Sequence, residues 1–207
     1  MKLTRTQKRY PRHVIRRIVE EQMRLVIDDG ALYANAIRNV YAAFDMAERY
    51  TNRLIVRSLA TFGLDAMTSL VDIPTAPVLS IREVAYYDSN DELQILPSSE
   101  YQLLTTEDST AVEFFSIPKL SDRRRRGLVS IVAECGYSDY RDTLSREPED
   151  AGGIILPGNI EAAVALRAGT LCEADGDAII GRSVSALPVT VERLLDPFRM
   201  APYGWES

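Results

Sequence analysis

The sequence predicts an α+β fold: a small α-helical bundle with an inserted antiparallel β subdomain. Three observations point there. Apolar residues recur at helical spacing before residue 53, short apolar runs separated by turn residues fill 54–137, and an alanine-rich helical pattern returns after 154. With 207 residues and 46% hydrophobic content, the chain is long enough to bury one sizeable core. No run approaches the roughly 18 apolar residues of a membrane span, and the first residues lack a signal peptide's apolar stretch, so a soluble protein is expected.

Residues 1–27 read as a basic N-terminal arm and helix. From Arg12 to Val26, Val14, Ile15, Ile18, Val19 and Leu25 recur at helical spacing, and the opposite face is almost all arginine. Lys2, Arg5, Lys8, Arg9, Arg12, Arg16, Arg17 and Arg24 against Glu20 and Glu21 give this arm a charge of +6. The net charge is −6, so the rest of the chain carries −12. A basic arm on an acidic body implies a specific charged partner for the arm, which is expected to order on contact.

Residues 28–53 and 154–199 form the expected helical core. Asp28-Asp29-Gly30 is a turn in which Asp29 can cap a helix over Ala31–Tyr50. Tyr33, Ile37, Val40, Tyr41 and Phe44 form its expected buried stripe, with Arg38, Asp45, Glu48 and Arg49 off it. Thr51-Asn52-Arg53 ends it.

Residues 54–137 are the β-rich insertion. Its expected strands are Leu54–Leu59, Leu70–Ile73, Val78–Tyr87, Leu93–Leu96, Tyr101–Leu104, Ala111–Phe115 and Leu128–Glu134. They are read as one small antiparallel sheet, with a hairpin around Asp88–Glu92. Residues 138–153 follow as an exposed polar loop. Pro157 and Asn159 introduce a helix from Ile160 to Glu173, kept narrow by Ala162, Ala163, Ala165 and Ala168. After a loop from Ala174 to Ser185, Leu187-Pro188 opens a short helix holding Val191, Leu194 and Leu195, and Pro197 stops it. Such a segment is too short to stand alone and must dock. Residues 200–207 are a C-terminal tail.

The search for chemistry is mostly negative. His13 is the only histidine and sits among arginines, which leaves no Ser-His-Asp set. No P-loop, G-x-G-x-x-G or G-x-S-x-G motif occurs. Cys135 and Cys172 stand far apart in apolar surroundings and read as reduced thiols, in keeping with a reducing cytoplasm. Asp175-Gly176-Asp177 lacks the remaining ligands of a calcium loop and reads as a plain turn. A hydrolase pair of Glu147 with Glu149 or Asp150 would lie in a solvated loop, unlike a glycosidase site. No enzyme, metal or cofactor is expected.

Candidate binding residues are of two kinds. Arg123-Arg124-Arg125-Arg126, between two strands, could meet phosphates or an acidic partner, or could be a solvated loop. Arg9, Arg12 and Arg16 of the arm, with Phe198, Arg199, Tyr203 and Trp205 at the other end, are candidate interface residues because aromatic anchors and fixed cations favour contact.

The order of segments resembles the head–tail connector (adaptor, or head-completion) proteins of tailed bacteriophages, often described as DNA-packaging proteins. The matching pieces are Asp28-Asp29, the helix end Ala47-Glu48-Arg49-Tyr50-Thr51-Asn52-Arg53, and the strand Pro77-Val78-Leu79-Ser80-Ile81-Arg82-Glu83-Val84-Ala85-Tyr86-Tyr87-Asp88. To these add Gly136-Tyr137 after a strand, the helix opened by Leu156-Pro157, and Leu187-Pro188 with Leu194-Leu195-Asp196-Pro197-Phe198-Arg199. The resemblance covers residues 25 to 199. It implies a helical bundle carrying a β insertion, about twelve copies in a closed ring beneath the portal protein, and stopper or tail proteins docked on that ring. It also implies genomic double-stranded DNA passing through the lumen without sequence-specific contact, no membrane, and assembly in the host cytoplasm into the neck of the virion. The arginine-rich arm and Cys172-Glu173-Ala174-Asp175, where the family tends to show a tyrosine and arginine, depart from the pattern. A DNA-binding packaging factor is the alternative.

Overall fold

The computed structural model describes residues 2–26, 28, 30–105, 109–123, 126–137, 154–176 and 189–200. The fold is α+β, with helices and two antiparallel sheets. The described residues fall into two units: 2–9 with 56–136, and 10–55 with 137–200. Residues 1–27, read above as one arm, therefore divide after Arg9.

The first unit is all β. Strands β1 (Lys2–Arg9), β2 (Arg57–Leu64), β3 (Leu70–Ile73), β4 (Val78–Tyr87), β5 (Leu93–Ile95), β6 (Tyr101–Thr105), β7 (Thr110–Phe114) and β8 (Val129–Cys135) follow in chain order. Where one sheet is expected there are two. A five-stranded sheet runs β1-β2-β8-β4-β5, and a three-stranded sheet runs β3-β7-β6. Strand β2 alternates strictly, with Ser58, Ala60, Phe62 and Leu64 buried and the intervening residues half-buried. Phe62 faces Ile131, which in turn faces Val84, so one apolar row crosses three strands. The Asp88–Glu92 turn closes the expected hairpin: Asp88 Oδ1 accepts from the Asn90 and Glu92 amides, and Asp91 takes φ +65°.

Strand β1 overturns the reading of the first residues as an arm awaiting a partner. It pairs with β2 from Lys2 opposite Gly63 to Arg9 opposite Arg57. Arg5 fastens it, donating from Nε to Ser58 Oγ (2.8 Å) and from Nη2 to the Val56 carbonyl (2.7 Å).

Gly136 ends β8 where two backbones meet. Its φ is +111°, and a Cβ there would stand 2.6 Å from the Cα and N of Arg57. Only glycine lets these segments approach so closely.

The second unit is helical. Helix α1 (Arg12–Arg17) runs into a π-helical turn, Ile18–Gln22, and together they bury Val14, Ile15, Ile18 and Val19. Helix α2 (Ala31–Thr51) starts from Gly30, and among the described residues no side chain caps it; Asp29, expected as the cap, lies outside them. Its buried stripe is Ala36, Val40, Ala43, Phe44, Ala47, Glu48 and Thr51; of the residues expected there Val40 and Phe44 are buried, Tyr33 and Ile37 only half-buried, while Glu48, expected off the stripe, is buried. Tyr41 stays partly exposed, its ring centroid 4.3 Å from that of Tyr10. Helix α3 (Gly158–Gly176) packs against α2 and buries Ile160, Ala163, Val164, Ala165, Arg167 and Ala168; Arg167 reaches Met46 of α2, Nε to Sδ 3.1 Å. It also takes in Asp175 and Gly176, read above as a turn, while Asp177 lies outside the described residues. Arg17 ties α1 to α3 through Glu161 at 2.6 Å. Helix α4 (Val189–Leu195) packs on α3 and buries Val191 and Leu195, with Leu194 only half-buried. Leu187 and Pro188 lie outside the described residues. No helix among the described residues is long and apolar enough to cross a membrane.

Candidate functional site

One face of the five-stranded sheet holds a cleft of about 310 Å³, lined by Gln7, Arg9, Arg57, Leu59, Arg82 and Glu134 among others. A β-bulge builds it. Between Thr6 and Arg9 the register of β1 slips against β2, and Gln7 takes φ +53°. The extra residue turns the end of the strand so that Arg9 faces Arg57 directly. Like charges directly opposed across a strand pair are destabilising, and here a carboxylate from the next strand offsets them. Glu134, facing Leu59 on β8, is only 8% exposed. Its Oε1 accepts from Arg57 Nε at 2.6 Å, and its Oε2 accepts from Arg82 of β4.

Burial pushes the Glu134 carboxyl upward, but the hydrogen bonds and charges of Arg57 and Arg82 outweigh it and hold the group below its ordinary value. The carboxylate is thus ionised at neutral pH. Three guanidiniums face one carboxylate, so the cleft carries a positive excess. Arg82 keeps 60% of its side chain exposed, and Arg9 is exposed too. Such a cluster of guanidiniums suits an anion, with Glu134 already held by two of them. Among the described residues no cluster of histidine, cysteine or carboxylate groups is placed to hold a metal.

No family model and no curated protein matches the sequence. Solved structures do match in shape. A chain in the neck of an empty gene transfer agent (GTA) particle, computed with C6 symmetry, superposes with a TM-score of 0.70 at 18% identity. A chain in the virion of a native GTA particle gives 0.69 at 18%, and one in the neck of a native particle computed with C12 symmetry gives 0.67 at 16%. Each match covers 98% of this chain and 97% of the other. This chain has the fold of those GTA chains. The likeness is consistent with the connector resemblance carried by the sequence motifs.

Within that fold the candidate residues lie in several places. Arg9 lines the cleft, whereas Arg12 is exposed in the first turn of α1 and Arg16 pairs with Glu20 at 2.8 Å on the helix surface. Phe198 and Arg199, read as candidate interface residues, lie against the end of α2, with Arg199 exposed and Phe198 half-buried. The carbonyl of Phe198 accepts from Arg53 Nε at 2.5 Å, and the Arg199 guanidinium lies 5.1 Å from the Tyr50 ring centroid. Tyr50 donates to Asp196 Oδ1 at 2.6 Å, which raises its phenol, and the Met200 amide donates to the Thr51 carbonyl. Arg123 pairs with Asp91 of the β4–β5 hairpin at 3.0 Å, and Arg126 is exposed. Arg124, Arg125, Tyr203, Trp205, Glu147, Glu149 and Asp150 lie outside the described residues.

Sequence reasoning missed Arg57, Arg82 and Glu134. One signal was present: Glu134 interrupts an apolar run between the buried Ala133 and Cys135, where a lone carboxylate needs a cation.

Proposed function

We propose that this chain is a structural protein of a phage-type particle, a head–tail connector that forms a ring under the portal. It extends the DNA channel and offers the surface on which the stopper or tail docks. The observation that carries this reading is the correspondence of fold over 98% of the chain with chains of GTA neck structures, computed with six-fold symmetry in one case and twelve-fold in another. A closed ring of twelve copies fits that symmetry. Charge supports the same reading: a net charge of −6 per copy, repeated around a channel, disfavours tight gripping of DNA and lets it slide. The chain does no chemistry and acts in the virion, after assembly in the host cytoplasm.

Imaging of purified particles together with mass spectrometry of their proteins tests the proposal. The expected result is density for this fold as a ring in the neck. Particles that lack the chain overturn it. A salt-dependent shift of duplex DNA by the isolated chain, with no neck density, favours a packaging factor instead.

A further inference from the structure

We propose that the β5 edge of the five-stranded sheet pairs with strand β1 of a second copy of this chain, so that one sheet continues from copy to copy. The inference rests on the connector reading, because it names the contact between neighbouring copies in the ring.

The alternation of the β4–β5 ladder shows what the edge offers. The Asp88 amide donates to the Glu92 carbonyl, and the Leu96 amide donates to the Val84 carbonyl. Between these bonded pairs Tyr86 stands opposite Gln94, with Ala85 opposite Ile95 and Tyr87 opposite Leu93. Bonded and non-bonded pairs alternate in an antiparallel ladder, so Leu93 and Ile95 are the residues whose N–H and C=O point away from β4. Among the described residues no strand lies on that side. Their side chains are uncovered too, 59% exposed at Leu93 and 65% at Ile95. An apolar edge with outward backbone groups is a template for one more strand.

The other end of the same sheet supplies that strand. In the order β1-β2-β8-β4-β5, β1 is the opposite edge, and no described strand lies beyond it. From Lys2 to Thr6 it pairs with β2 in regular register, so a straight stretch longer than β5 precedes the bulge. Thr4 and Thr6 are exposed on it, and β-branched side chains suit a pleated surface beside Leu93 and Ile95.

Charge at the two edges favours β1 as the occupant. Strand β1 holds four cations and no carboxylate. The stretch from Asp88 to Pro97 holds three carboxylates and no cation. Of these, Asp88 accepts from the turn amides and Asp91 pairs with Arg123, whereas Glu92 enters β5 with its side chain exposed. The exposed Lys2 and Arg9 stand at opposite ends of β1, so Glu92 lies toward a cation whichever way the two strands run. A copy joined through its β5 still offers its β1 to the next, and this head-to-tail contact repeats until the ring closes.

The test is the neck of the native particle imaged at side-chain resolution, beside particles made with the substitution Ile95→Pro. Proline removes an N–H that faces away from β4, so the β4–β5 ladder keeps its bonds while a strand added outside loses one and meets the pyrrolidine. The thermal midpoint of the purified variant is measured as a check on folding. Glu92→Lys, at an exposed side chain, takes its place should that midpoint fall. The expected result is β1 of one copy with backbone N···O distances of about 3 Å to Leu93 or Ile95 of the next, and about a tenfold loss of variant copies per particle at unchanged midpoint. A β5 edge that is bare in the ring, or covered by another segment or a different protein, overturns the inference and leaves the connector reading standing. A variant that assembles as well as the native chain also overturns it. A chain absent from the neck removes the connector reading, and the inference with it.

Discussion

Replacing Gly136 by alanine, beside the same change at Gly127, separates two penalties that usually come together. Both glycines hold positive φ, +111° and +71°. An L side chain there costs ~1–2 kcal/mol. The two sites differ in space. A Cβ on Gly136 would stand 2.6 Å from the Cα and N of Arg57 and 2.7 Å from the carbonyl carbon of Val56, all backbone atoms that cannot swing aside. A Cβ on Gly127 meets nothing within 4 Å. Backbone displacement of this kind adds ~1–3 kcal/mol. Gly127→Ala is therefore expected to cost ~1–2 kcal/mol, and Gly136→Ala about 2 kcal/mol more. For a chain of this size that difference corresponds to a further drop in Tm of about 4–8 °C. Thermal unfolding followed by far-ultraviolet circular dichroism reads the two midpoints. Hydrogen exchange at the β2 and β8 amides locates the damage. Equal shifts for the two variants would refute the close approach of the backbones.

Three further outcomes are expected. Leu195 is fully buried and Leu194 only half-buried, so Leu195→Ala should cost about 2–5 kcal/mol in urea unfolding and Leu194→Ala clearly less; the reverse order would contradict the packing of α4. Glu134 has a folded-state pKa below its ordinary value of 4.5, so its contribution is complete above the unfolded value and disappears as pH falls through the folded one. Below pH 4.5 the native Tm should accordingly fall more steeply than that of Glu134→Gln, and parallel declines would count against the arginine pairing. Burial pushes the Cys135 thiol up to about 12, while Cys172 is half-buried and accepts a hydrogen bond from Asn39 at 3.3 Å. Iodoacetamide at pH 8 should alkylate Cys172 and spare Cys135 until the chain is unfolded; equal labelling of both would refute it.

Much of the β unit was legible because its strands carry their own boundaries. Leu70–Ile73 and Val78–Tyr87 fall where the apolar runs place them, and Asp88 marks the hairpin because its side chain holds the turn. The split into two sheets was not legible, since pairing β3 with β7 and not with β4 is decided by packing between distant residues. Strand β1 escaped notice for a physical reason. Lys2–Arg9 holds one large apolar residue, Leu3, and an edge strand with little buried area leaves almost no hydrophobic pattern. In α2 the eye is drawn to Tyr33, Ile37 and Tyr41, yet the true stripe is spaced just as well through Ala36, Val40, Ala43 and Ala47. Val40 and Phe44 belong to both stripes, so the helix face was read about one position off, not missed altogether. The cleft was the least legible feature, because Arg9, Arg57, Arg82 and Glu134 meet only once the sheet has formed. The contacts of the Phe198 carbonyl with Arg53 and of Arg199 with Tyr50 were not legible, because they join residues some 145–150 positions apart.

The position of β1 at the rim of its sheet bears on how two molecules of this chain would meet in solution. Among the described residues no strand lies on its outer side, and an open strand edge is the usual template for runaway self-stacking. Two such rims brought together would set the exposed Lys2, Lys8 and Arg9 of one molecule beside the same three on the other. That mutual repulsion disfavours open-ended fibres of stacked sheets while leaving unlike surfaces free to join. The basic residues at the start of the chain thus act as a bumper between copies, steering them away from rim-to-rim association.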